Sequence, residues 1–134
     1  MRKLIPLKKY FGKLIVPLGW TVFIQVLLCL PGTDIPGPEL FEIPYLDKIV
    51  HVIFFGSFVA LWCYYFRYRS TDNNWLKNIF FIVFLVASAN GILIEYIQLY
   101  FIPMRSFDQG DIIADVLSAA IAYGICNVKL LTFQ

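Results

Sequence analysis

Charge is what this sequence has least of. Asp, Glu, Lys and Arg make up 15% of its 134 residues, where a soluble domain carries about a quarter. Histidine occurs once, at His51. Cysteine occurs three times, at Cys29, Cys63 and Cys126, always inside an apolar stretch and never as C-x-x-C. That spacing offers no zinc motif and fixes no redox compartment; the thiols read as small apolar filler in helices. Neither H-E-x-x-H nor a G-x-S-x-G turn occurs, which removes the most recognisable hydrolase signatures. The few bases flank apolar stretches instead of forming one patch, so nucleic acid is not an expected partner. Internal repeats and low-complexity tracts are absent.

What is abundant is apolar surface. The chain is 60% hydrophobic and its mean hydropathy is +0.73. So short a chain, enough for one domain spanning 1–134, has too little interior to hide that surface from water. Lipid is the simplest solvent for the excess. A spanning helix needs about 20 mostly apolar residues, and four stretches qualify: 14–30, 49–66, 79–102 and 112–131. No strand alternation competes over these lengths. The expected fold is therefore an all-α bundle of four transmembrane helices. The first stretch follows Lys8, Lys9 and Lys13 as a signal peptide would. It is longer than a usual signal core, however, and lacks a small-residue cleavage site.

The direction of crossing follows from the basic residues. All of them except Lys48 and Arg105 fall on one side, and every acid except Asp72 falls on the other side or in the adjoining membrane half. Both termini are expected to be cytoplasmic, in a multi-pass membrane protein. Residues 1–11 mix bases with apolar residues; their simplest role is to fix topology. The loop after the first span contains Pro31, Pro36, Pro38 and Pro44, a density that excludes a regular helix through it. It is expected to form an ordered turn structure over the extracytoplasmic mouth.

The membrane polar residues converge at that mouth. Asp47 and His51 are spaced i, i+4. Glu95 and Gln98 are i, i+3. Asp108, Asp111 and Asp115 follow i, i+3, i+7 if the last helix begins early. At about 1.5 Å of rise per residue, Glu95 lies roughly 10 Å below the outer end of its span, and His51 and Asp115 roughly 5 Å. Lipid penalises charge by a few kcal/mol per group, so the three stripes should face one another. The expected site is a pocket of Asp47, Lys48, His51, Glu95, Gln98, Arg105, Asp108 and Asp111. Mutual pairing that only holds the bundle together is the structural alternative. Against it, the outer cluster as a whole sets five acids (Asp47, Glu95, Asp108, Asp111 and Asp115) against two fixed bases, and the surplus must be protonated, hydrated or bound to a cation. The small-residue runs around Gly91 and Ala119 are expected to let the third and fourth helices approach closely. Trp62, Tyr68 and Trp75 fit an inner aromatic belt.

The ordered pieces Leu30-Pro31-Gly32, Asp47-Lys48-x-x-His51, Glu95-x-x-Gln98 and Pro103-x-Arg105-x-Phe107-Asp108-x-x-Asp111 resemble the VanZ-like family of small bacterial membrane proteins. The family often has Asn where this chain has Asp115, and Gly where it has Ser118. The resemblance implies a cell-envelope role, and the family's founding member is linked to resistance to teicoplanin, a lipidated antibiotic. Two function classes follow. In the first, the pocket binds membrane lipids, with a lipid-linked cell-wall precursor or a lipophilic glycopeptide as the specific ligand. Lys48 and Arg105 would meet phosphate or carboxylate, and the acids would meet hydroxyls or amines. In the second, the chain is an enzyme acting on a lipid headgroup, with His51, Glu95 and Asp111 as candidate catalytic groups. No organic cofactor is expected. A divalent cation, Mg²⁺ or Mn²⁺ more readily than structural zinc, suits carboxylates with one histidine. Proton-coupled transport is a third class, but the inner half of the bundle offers no matching polar path.

Overall fold

The computed structural model describes residues 13–31 and 45–131. Four helices account for nearly all of them: α1 (Ile15–Leu28), α2 (Leu46–Arg69), α3 (Asn73–Phe101) and α4 (Gln109–Leu131). No strand occurs among the described residues. Residues 32–44, most of the Pro-rich loop expected over the mouth, and residues 1–12 at the N-terminus lie outside the described residues.

Local chemistry sets the helix ends. Asp72 caps α3, its Oδ1 accepting from the N–H groups of Asn74 (2.9 Å) and Trp75 (3.2 Å), which satisfies two otherwise orphaned donors. At its far end Ile102 is extended (φ −107°, ψ 115°) because it precedes Pro103, whose ring disfavours helix at the residue before it. Asp47 lies in the first turn of α2 and Arg67 and Arg69 in the last, the signs that the helix dipole favours.

Helices α2, α3 and α4 are long and apolar enough to cross a membrane. The first helix differs from the expected span of 14–30. It is 14 residues long, about 21 Å at 1.5 Å per residue, short of a hydrocarbon core of about 30 Å. Its end has a local cause: the Cys29 N–H still bonds Gln25 O, but Pro31 follows, and proline cannot continue a helix.

The bundle is apolar outside and mixed inside. Ile49, Ile53, Leu85, Leu93, Ile121 and Val128 are among many large apolar side chains left exposed on α2–α4. Phe55, Val59 and Cys63 of α2 meet Leu76, Phe80 and Ala87 of α3 and Ala119 and Cys126 of α4 in the core. Exposed apolar faces of this extent suit lipid. Three hydrogen bonds between side chains tie α1 to the others. Trp20 Nε1 donates to Ser57 Oγ (2.8 Å), Trp62 Nε1 to Thr21 Oγ1 (3.1 Å) and Gln25 Nε2 to Asn90 Oδ1 (2.8 Å).

Candidate functional site

The polar side chains gather where α2 begins, α3 ends and α4 begins. Each helix delivers its groups by its own period. On α2, Asp47 and His51 are one turn apart, and Phe55 continues the stripe into the core. On α3, the buried sequence Ala87, Gly91, Glu95, Gln98 follows i, i+4, i+8, i+11. On α4, Asp111 and Asp115 lead to Ser118 and Ala119. These stripes turn inward because lipid covers the opposite faces.

The site has a floor and a rim. His51, Glu95, Asp111 and Asp115 form the floor, with relative exposures of 3%, 0%, 7% and 0%. His51 Nδ1 lies 2.9 Å from Asp115 Oδ1, and His51 Nε2 lies 3.9 Å from Asp111 Oδ2. Glu95 Oε2 accepts from the Asp108 backbone N–H at 2.9 Å. Glu95 Oε1 and Asp115 Oδ2 are buried with no hydrogen-bond partner.

Asp47, Lys48 and Asp108 form the rim, and the Asp47 and Asp108 side chains are each 43% exposed. Lys48 Nζ reaches Asp108 Oδ2 at 2.6 Å, Asp111 Oδ1 at 3.2 Å and Asp47 Oδ2 at 3.3 Å. The hydrogen bond from Lys48 is the main reason that the Asp108 carboxyl is held below the usual carboxylate range, with the Gly110 N–H adding to it. Asp108 itself precedes α4, whose first residue is Gln109. The early helix start needed for an i, i+3, i+7 row through Asp108 therefore does not occur. Its side chain instead accepts from the Gly110 N–H at 2.6 Å, as a capping residue does.

Two residues of the expected set point elsewhere. Gln98 Nε2 donates to Leu28 O at 2.9 Å, and Arg105 Nε donates to Leu30 O at 3.3 Å. Both satisfy carbonyls at and just beyond the end of α1, which a helix leaves without internal partners. They tie α1 to the site without entering the carboxylate cluster.

Sequence reasoning left Asp115 out of the binding set, although it is the closest partner of His51. The signal was available: the two residues have the same estimated depth on different helices. The close approach of α3 and α4 expected from the small-residue runs is present at Gly91, where an added Cβ would stand 2.6 Å from Asp115 Oδ2 and 2.8 Å from Asp115 Cβ.

Residues 3–131 match the family model for VanZ/LLP1. The chain belongs to the VanZ/LLP1 family. No curated protein and no solved structure matches it. The matched stretch includes every residue of the floor and the rim. With three helices suited to crossing a bilayer, this member of the VanZ/LLP1 family is a membrane protein.

Proposed function

We propose that this VanZ/LLP1 protein binds, at the outer leaflet of a bacterial cytoplasmic membrane, the headgroup of a lipid-linked envelope molecule. Lipid-linked cell-wall precursors and lipophilic glycopeptides share the required chemistry, a polar head bearing sugars or amines on an apolar tail. One observation carries the reading. A half-open rim of charges stands over a buried histidine–carboxylate floor, in a bundle whose sides are apolar. Such a site admits a polar head from the aqueous side while the tail stays against the helices.

The balance of contacts favours a head rich in donors. Lys48 is already shared among three carboxylates, whereas the rim acids are partly open to hydroxyls and amines. The segregation of bases toward the opposite end of the bundle supports an outward-facing site with both termini in the cytoplasm, α1 making the fourth crossing together with the non-helical residues beside its 14-residue helix.

Mass spectrometry of lipids that co-purify with the protein tests the proposal. An envelope lipid should be enriched over a control four-helix membrane protein in the same detergent, and Asp108→Asn with Lys48→Met should remove the enrichment. Equal lipid profiles for the protein and the control would refute it.

A further inference from the structure

We propose that His51, Glu95 and Asp111 hold a divalent metal cation in the floor of the site, with Asp115 orienting the histidine. This goes beyond headgroup binding and does not depend on it.

The donor set comes from three helices. One ligand atom from each residue lies within 4.8 Å of the others, and all three residues are buried. A cation about 2.1 Å from each nitrogen or oxygen donor keeps its donors roughly 3–4 Å apart. The 3.9 Å between His51 Nε2 and Asp111 Oδ2 is too long for a hydrogen bond but fits two ligands of one ion.

A second observation points to a missing partner. Glu95 is 0% exposed, and its Oε1 bonds nothing, while Oε2 is fixed by the Asp108 N–H. A buried acceptor left unmade costs on the order of 1–3 kcal/mol, more if it is charged. A cation would satisfy it.

The histidine is arranged as a metal ligand. Its Nδ1 is held by Asp115 Oδ1 at 2.9 Å, which leaves Nε2 on the side of Asp111. A carboxylate on one ring nitrogen, fixing the tautomer and the ring so that the other nitrogen can coordinate, is the usual outer-shell arrangement of metal-bound histidine.

Charge selects the floor over the rim. Asp47, Asp108 and Asp111 also lie close together, but Lys48 Nζ sits 2.6–3.3 Å from all three and already serves as their cation. Asp111 joins the two sets, with Oδ1 on Lys48 and Oδ2 toward His51. Three floor carboxylates share one imidazole and part of one ammonium, so a dication offsets the remaining charge. One imidazole with two carboxylates suits a first-row divalent ion: Mn²⁺ by its preference for carboxylate, Zn²⁺ by its higher general affinity.

The test uses the purified full chain in detergent, stripped with chelator and loaded separately with Mn²⁺ and Zn²⁺. Metal per chain is then measured by mass spectrometry, and Mn²⁺ affinity by electron paramagnetic resonance. The expected result is one ion per chain for Mn²⁺ or Zn²⁺. It should be lost in Glu95→Gln and His51→Gln, retained in Asp47→Asn, and weakened about 10–100-fold in Asp115→Asn. Should the floor variants not fold, the wild type and Asp47→Asn still decide, because both should melt at a higher temperature as the metal concentration rises. Neither ion bound by stripped wild type, or equal metal in folded Glu95→Gln, would overturn the proposal. So would loss of metal in Asp47→Asn. Lipid enrichment is measured on separate preparations, so failure of the headgroup reading remains distinct from failure of the metal site.

Discussion

Replacing Gly91 with alanine probes how closely α3 and α4 approach beneath the floor. The added Cβ would stand 2.6 Å from Asp115 Oδ2 and 2.8 Å from Asp115 Cβ. A change of rotamer can move the carboxylate oxygen. It cannot move the Cβ, which is fixed to the α4 backbone, so the helices must separate. Overpacking of this kind costs about 1–3 kcal/mol. Alanine also gains about 0.5–1 kcal/mol over glycine in a helix interior, whatever its surroundings. Gly124 on α4 provides the standard for that gain, because an added Cβ there has nothing within 4 Å. The difference between the two substitutions isolates the contact. Gly91→Ala should be less stable than Gly124→Ala by about 1–3 kcal/mol, measured by reversible unfolding in mixed detergent micelles. If both substitutions shift stability equally, the close approach is refuted.

Asp108 should give the protein an acid-sensitive component. Its folded-state pKa is lowered, chiefly by the Lys48 hydrogen bond. The stabilisation is therefore fully present above the ordinary carboxylate value of about 3.9 and is lost as pH falls from there through the folded value. Asp108→Asn should flatten that acid limb, modestly because the side chain is 43% exposed and screened; an unchanged limb would refute the pairing. The proposed orientation predicts that a membrane-impermeant maleimide labels Tyr45→Cys in intact cells but labels Tyr68→Cys only after lysis. Tyr45 and Tyr68 are both exposed, at opposite ends of α2, and the reverse pattern would overturn the orientation.

The helical content was legible because it rests on local features. Long apolar stretches interrupted by Pro31 and Pro103, with Asp72 in a capping position, define helices without reference to distant residues. The inward polar stripes were legible for a related reason: the helix period puts Asp47 over His51 and Asp111 over Asp115, and lipid leaves one direction for charge. The length of α1 was less legible. Hydropathy counts apolar residues through Leu30, whereas the helix ends at Leu28.

The destinations of the polar atoms were not legible. Gln98 and Arg105 have the composition of ligand-binding residues, but they bond the carbonyls of Leu28 and Leu30. Nothing in a linear sequence shows that the end of α1 lies beside them. Lys48 could have met a ligand phosphate; its position among three acids depends on how α2 and α4 are rotated against each other. The Asp115 carboxylate counted only as an extra charge until the packing of α2 on α4 set it against His51.

The sequence alone determined that this chain is helical, that it is built for lipid, and which end of the bundle carries its acids. These follow from composition and from periods of a few residues, where backbone geometry and solvent preference decide. Tertiary structure decided which acid faces the histidine, which residues are spent on α1, and which buried oxygens are left without a partner. Those outcomes depend on the rotation and approach of helices far apart in sequence. Side-chain volume sets that approach, most directly where Gly91 leaves room for Asp115.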